Sequence, residues 1–103
     1  MFDAHSCLPP PILQKFAGQL QSDDLLFLEE PWLPGNIEMM RKISQSVSVP
    51  LATGEGDRTV WQVRQILEAQ VVDVLQSDCG HGGGISQMKK ISILAEAHHV
   101  PLA

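Results

Sequence analysis

The sequence has few basic residues and few cysteines, and each shortage argues against a class of protein. Seven Lys and Arg against twelve Asp and Glu give a net charge of −5. The scattered cations form no basic patch, so we expect no nucleic-acid partner. The two cysteines, Cys7 and Cys79, are too few for a disulfide framework, and we expect them to be free thiols.

Long apolar runs are also lacking. No run approaches the roughly 18 apolar residues of a transmembrane helix, so we expect no membrane partner. The first residues, MFDAHSCLPPP, lack the basic and apolar regions of a signal peptide, which favours a cytoplasmic location. A length of 103 residues, 44% of them apolar and 18% charged, is typical of one small globular domain.

What is present is a series of short apolar runs that end in polar residues. The runs LLFLEE (25–30), VPLATGE (49–55) and VVDVLQSD (71–78) are typical of strands buried on both faces of a parallel sheet. A last run, VPLA (100–103), indicates the beginning of one more strand.

Helical patterns separate these runs. Pro10 can open a first helix that ends at a turn over 22–24, and Asn36 and Thr59 are suitable N-caps for the next two. A fourth helix is predicted over Ile85–Ala97. The predicted inward faces are Ile12, Leu13, Phe16 and Leu20 in the first helix and Ile85, Met88, Ile91, Leu94 and Ala95 in the fourth. This alternation predicts an α/β fold of about four βα units with parallel strands.

Acidic residues recur at the ends of the predicted strands. Glu29 follows Asp3 by 26 residues, and Glu55 follows Glu29 by the same interval. One βα unit of a barrel or doubly wound sheet has about this length, so the three carboxylates are expected at the carboxyl ends of neighbouring strands. Such oxygen donors suit a hard cation such as Mg²⁺. The alternative is chance, because acidic residues are numerous and strand ends are ordinary places for charge.

Two further patterns have competing interpretations. His5, Cys7, Cys79 and His81 could form a zinc site, but they lack the C-x-x-C spacing of strong zinc motifs. The glycines at 82–84 could direct backbone amides at an anion or simply form a tight loop. HGGG also resembles an esterase oxyanion loop, but the chain has no G-x-S-x-G nucleophile motif.

Four motifs together resemble a known family. FDAH (2–5), FLEEP (27–31), PLATGE (50–55) and DVLQSDCGHGGGISQMKKISILAEAHHVPLA (73–103) are similar to the barrel domain of the enolase superfamily. The likeness is to its mandelate racemase/muconate lactonizing enzyme branch, and within it to sugar-acid dehydratases of the galactonate dehydratase type. The resemblance implies a partial (β/α)8 TIM barrel over 1–103, without the capping domain and the remaining barrel strands.

The resemblance also implies roles for individual residues. Asp3, Glu29 and Glu55 match three magnesium ligands, and His5 matches a histidine that protonates the departing hydroxyl. Asp78 matches the aspartate of a His-Asp dyad, whose histidine would follow one strand later, beyond this sequence. Ser77 and Gly56 depart from the family pattern, which usually has proline and arginine at these positions.

The implied activity is that of a lyase, the Mg²⁺-dependent dehydration of a sugar acid (an aldonate). An α-proton is abstracted, the enediolate is stabilised by the metal, and the β-hydroxyl is eliminated. The alternative is an inactive barrel remnant that retains metal binding or acts as an interaction or structural module. Because a barrel closes only with eight strands, we expect a homo-oligomer or association through exposed sheet edges.

Two residues near these motifs have open roles. Strand alternation points Glu30 away from Glu29, which favours a structural, hydrogen-bonded role. His81, in the loop before the fourth helix, could contact substrate or simply lie in solvent.

Overall fold

The computed structural model describes residues 1–20 and 25–103, and strands and helices alternate along these ranges. The described strands are β1 (Phe2–Asp3), β2 (Leu28–Glu29), β3 (Leu51–Thr53) and β4 (Val74–Leu75). The described helices are α1 (Pro10–Leu20), α2 (Ile37–Ser44), α3 (Val60–Ala69) and α4 (Ile85–Ala97). The predicted turn over 22–24 lies outside the described residues.

The four strands form a parallel sheet in the order β1-β2-β3-β4. Each strand is therefore joined to its neighbour through a helix, and the prediction of four parallel βα units is confirmed. The predicted fifth strand is present as a single parallel bridge between Leu75 and Leu102. The strands are shorter than predicted, since only a few residues of each apolar run form hydrogen-bonded pairs with the neighbouring strand. The flanking residues Phe27, Val49 and Val71 are buried all the same.

Helices α1 and α2 pack on the sheet through narrow apolar stripes. In α1 the buried residues are Leu13 and Ala17, and in α2 they are Met40 and Ile43. These residues belong to one core cluster with Leu28 and Leu51 of the sheet. Their spacing of three or four residues is that of one helix face.

A second cluster joins α3 and α4 to β4 through Val63, Leu67, Leu75, Ile91 and Ala95. The prediction that Ile12 and Ile85 face inward was wrong, because they are 56% and 82% exposed. Ile12 lies beside the packed stripe of Leu13 and Ala17 in α1, whereas the stripe of α4 keeps the predicted phase at Ile91 and Ala95. Ile85 is also the first residue of α4, ahead of the turns that reach the core.

The predicted helix caps are present. Asn36 Oδ1 accepts a hydrogen bond from the Met39 amide at 3.0 Å, and Thr59 Oγ1 accepts one from the Gln62 amide at 3.3 Å. Helix α2 ends at Ser44.

No helix within the described ranges combines the length and the apolar character that a membrane crossing needs.

Candidate active site

Carboxylates lie at the carboxyl ends of β1 and β2, as predicted. Asp3 and Glu29 are register partners on these adjacent strands. Glu29 in turn pairs with Ala52 of β3, so Glu55 follows three residues beyond that height, in the loop after the strand. The prediction of strand-end carboxylates therefore holds for Asp3 and Glu29, whereas Glu55 lies beyond the end of β3.

Glu29 lies in a field of negative charge. Its pKa is raised, first by burial and then by the carboxylate of Asp3, while Glu55 and Glu30 raise it further. A hydrogen bond from the Gln76 side chain partly opposes this increase in pKa. Each carboxylate that repels a negative charge at Glu29 would also attract a cation, so the electrostatics of this strand end favour cation binding.

The described residues do not form a closed metal site. No group of three or more His, Cys, Asp or Glu side chains in 1–20 and 25–103 is placed to hold an ion. Neither the carboxylates Asp3, Glu29 and Glu55 nor the alternative zinc set with Cys7 and Cys79 converges in this way. The chemistry of the carboxylate set, with oxygen donors in a negative field, nevertheless fits Mg²⁺.

His5 lies beside Asp3 because of a turn. The strand ends at Asp3, and His5 and Ser6 adopt left-handed backbone conformations with φ of 44° and 55°. Asp3 Oδ1 accepts the backbone N–H of His5 at 2.8 Å, which fixes this turn. The imidazole Nδ1 lies 3.8 Å from Asp3 Oδ2 and is exposed. The predicted proximity is therefore present, although strand alternation does not produce it.

Glu30 links three loops at this edge of the sheet. Its side chain is 5% exposed and accepts hydrogen bonds from Thr53 Oγ1 at 2.7 Å and the Gly54 amide at 3.1 Å. Ser6 Oγ lies 3.3 Å from Glu30 Oε2 and shares its single proton with the Trp32 carbonyl, which is 2.6 Å away. Its own carbonyl accepts the Ser6 amide at 2.7 Å. The loops after β1, β2 and β3 are thus tied to one buried carboxylate, which agrees with the structural role expected for this residue.

Asp57 is a buried acid that the sequence analysis missed. It is 3% exposed, and burial together with the charge of Glu30 raises its pKa to about 6. Its Oδ2 has no hydrogen-bond partner among the described residues. Its position two residues after Glu55, in the atypical motif GEGDR, was the available sequence signal.

A cleft of about 240 Å³ opens among these loops. It brings together His5 and Glu55, which the sequence analysis singled out, with His81 from the loop before α4. It also contains Arg58, which the sequence analysis did not single out. The full lining consists of His5, Ser6, Glu30, Pro34, Glu55, Gly56, Arg58 and His81.

Asp78 lies outside this lining, on an exposed loop. Its Oδ1 accepts the backbone N–H of His81 at 2.7 Å, and this bond is the main reason why its pKa is lowered. The His81 imidazole is close as well, with Nδ1 at 3.9 Å from the same oxygen. Asp78 is thus held as a carboxylate, and its place in a His-Asp dyad stays a prediction.

Successive βα units with acidic and histidine side chains at the carboxyl ends of the strands are typical of a barrel enzyme. The family model described as enolase C-terminal domain-like matches residues 1–103, and the chain belongs to this family. The predicted family and partial TIM-barrel fold are confirmed.

Named relatives include dehydratases. The chain is 35% identical over 102 residues to a "D-galactonate dehydratase family member" of Streptomyces bingchenggensis and 31% identical over 102 residues to a D-xylonate dehydratase of Haloferax volcanii. Each match covers 99% of this chain and 25% of the relative. The chain therefore spans about a quarter of the length of these curated relatives.

A solved structure shows the same arrangement of the chain. The L-talarate dehydratase of Polaromonas sp. JS666, in complex with Mg and L-glucarate, matches with a TM-score of 0.89 and 26% identity. The match covers 97% of this chain and 28% of that enzyme.

Proposed function

We propose that this chain forms part of the active site of a Mg²⁺-dependent sugar-acid dehydratase, a hydro-lyase. The observation that carries the proposal is the pairing of Asp3 with Glu29 at the ends of adjacent strands. The negative field from Asp3, Glu55 and Glu30 that raises the pKa of Glu29 supports it. The dehydratase names of the relatives supply the reaction class.

Asp3, Glu29 and Glu55 would hold the ion through carboxylate oxygens. When bound, Mg²⁺ would supply positive charge next to the substrate carboxylate, which stabilises the negative charge that develops as the α-proton leaves. Glu30, the next residue, is buried and hydrogen-bonded, so water screens charge at this strand end less than on an open surface.

His5 would act as the general acid. Its imidazole lines the cleft, and it would give a proton to the β-hydroxyl as the C–O bond breaks, so that water leaves. The enol that remains tautomerises to a 2-keto-3-deoxy sugar acid. Asp78 would orient the histidine base of a dyad, and its lowered pKa keeps it ionised as a hydrogen-bond acceptor.

A calorimetric titration with Mg²⁺ tests the metal site. Glu29→Gln should weaken Mg²⁺ binding at least about tenfold, because it removes one charged ligand. Glu96→Gln is the matched control, since Glu96 lies on α4 away from the cleft and the substitution changes the charge equally. Equal Mg²⁺ affinity in wild type and Glu29→Gln would show that Glu29 is not a ligand. An assay of aldonates and aldarates for 2-keto product then tests turnover.

An inactive remnant that retains metal binding, or an interaction module, is the second candidate. The interaction-module form of this candidate is favoured by the lack of a converging three-ligand group among the described residues. The edge strand β1, where Phe2 is 38% exposed, offers a surface for association through the sheet. Mg²⁺ binding without 2-keto product, together with a self-associated species in analytical ultracentrifugation, would favour this candidate over the enzyme.

A further inference from the structure

We infer that Arg58 is a specificity-determining residue that binds a second carboxylate, at the end of the substrate distant from the metal. The favoured substrates would then be sugar diacids (aldarates) rather than the aldonates that the sequence resemblance implies. This inference rests on the proposed dehydratase function and specifies its substrate class.

Arg58 presents a free cation to the cleft. It lines the cleft together with His5 and Glu55. Its backbone N–H donates to Gln62 Oε1 at 3.1 Å, and this hydrogen bond ties the end of the loop to the first turn of α3. Its guanidinium makes no hydrogen bond or ion pair with a described residue. Arg64 differs, because its Nε lies 2.7 Å from Glu68 Oε1 and its charge is therefore neutralised within α3.

The acidic side chains in the cleft have other partners. Glu30 is already occupied by donors from Ser6, Thr53 and Gly54, and Glu55 is proposed to hold the ion. The guanidinium is therefore available for an anionic group of the ligand. The planar fork of arginine matches a carboxylate with two parallel hydrogen bonds, which a hydroxyl cannot provide.

Arg58 follows the proposed ligand Glu55 in the same loop, and our assignment places the distal end of the ligand at its charge. A Cβ atom at Gly56 would lie 2.7 Å from Pro34 Cγ, so the residue directly after Glu55 has little room for a side chain. The first cation of the loop is instead Arg58, two residues further from the proposed ligand Glu55. A substrate whose first carboxylate lies at the metal would need a second carboxylate to reach this charge.

His81 is a further polar residue of the cleft lining. It comes from the loop before α4 and lines the same cleft as Arg58 and His5. Its imidazole can donate to or accept from the hydroxyl groups between the two carboxylates. The cleft therefore offers a recognition group for each part of a polyhydroxylated diacid.

The test compares two acids that differ only at C6. Galactarate has a carboxylate there and galactonate has a hydroxymethyl group, while their stereochemistry at C2 to C5 is the same. Titration calorimetry of the chain with each acid, with and without Mg²⁺, should give a galactarate affinity about tenfold higher, since a bidentate charged pair contributes roughly that factor. Arg58→Gln should lower the galactarate affinity about tenfold and so remove this preference.

Arg41→Gln is the matched control, since Arg41 lies on α2 outside the cleft lining and the substitution removes the same charge. It should keep the galactarate preference. In wild type the preference should also shrink at high salt, as expected for a partly exposed ion pair.

Equal affinity of wild type for the two acids, or a preference that persists in Arg58→Gln, would overturn the assignment of Arg58. Failure of the proposed function gives a different result, namely that Mg²⁺ does not bind and changes neither acid's affinity. Absence of binding by both acids would overturn the inference as well. Since Arg58 is exposed, Arg58→Gln is expected to fold like wild type, and thermal unfolding verifies this.

Discussion

Replacing the buried Asp57 with Asn should change how the stability of the chain depends on pH. The pKa of Asp57 is raised from 3.8 to about 6 by burial and by Glu30. Between these pH values the folded state binds more protons than the unfolded state, so the free energy of unfolding falls as the pH rises. The difference of about two pH units corresponds to about 3 kcal/mol of lost stability once Asp57 is fully ionised.

Asn has nearly the shape of Asp but does not titrate in this range. In urea denaturation, the stability of Asp57→Asn relative to wild type should therefore improve by about 2.5 kcal/mol between about pH 4 and about pH 7.5. A constant effect of the new amide cancels in this comparison, because it is present at both pH values. If the relative stability changes by less than about 0.5 kcal/mol across that interval, the reasoning that places a poorly solvated carboxylate at this position is wrong.

Two further substitutions test the loops around the site. Glu30→Leu should destabilise the fold by about 2–3 kcal/mol in urea denaturation, because the buried Thr53 hydroxyl and the Gly54 amide would lose their acceptor. It should also lower the pH midpoint of the Asp57 effect, since Glu30 raises the pKa of Asp57, and an unchanged midpoint would contradict this coupling. Gly54→Ala should cost about 2–4 kcal/mol, because φ is +137° and the new Cβ would lie 2.9 Å from the Gln76 carbonyl oxygen. Gly18→Ala in α1 is the control. It should stabilise the fold by about 1 kcal/mol, since a Cβ atom at Gly18 would have no neighbouring atom within 4 Å among the described residues. A similar loss of stability in both variants would refute the steric argument.

Local chemistry explains which parts of the fold the sequence predicts. The caps at Asn36 and Thr59 depend on a side chain and an amide three residues away, so their residue types are sufficient. The lengths of the strands depend on pairing with neighbours that are distant in sequence, and they were overestimated. The orientation of Ile85 likewise depends on how far α4 extends beyond the packed core, which helical periodicity does not specify.

The candidate site divides in the same way. Spacing and resemblance identify Asp3, Glu29 and His5, because these residues follow recognisable strand ends. Asp57 and Arg58 depend on the path of the loop after β3, which is set by the backbone of Gly54 and by contact with Pro34. The path of this loop cannot be read from one sequence. The burial of Asp57 and the unpaired charge of Arg58 were therefore found only in the structure.

The hydrogen bonds of Glu30 have a consequence for how this scaffold could acquire new substrates. Barrel enzymes are commonly thought to diversify by exchanging one loop at a time, since each loop follows its own strand. Here a transplanted segment after β1 that lacks Ser6, or one after β3 that displaces the Gly54 amide, would remove a hydrogen-bond donor from the buried carboxylate of Glu30. We therefore expect loop grafts to be tolerated in this part of the barrel only when the three segments are exchanged together. The three segments would then change as one unit.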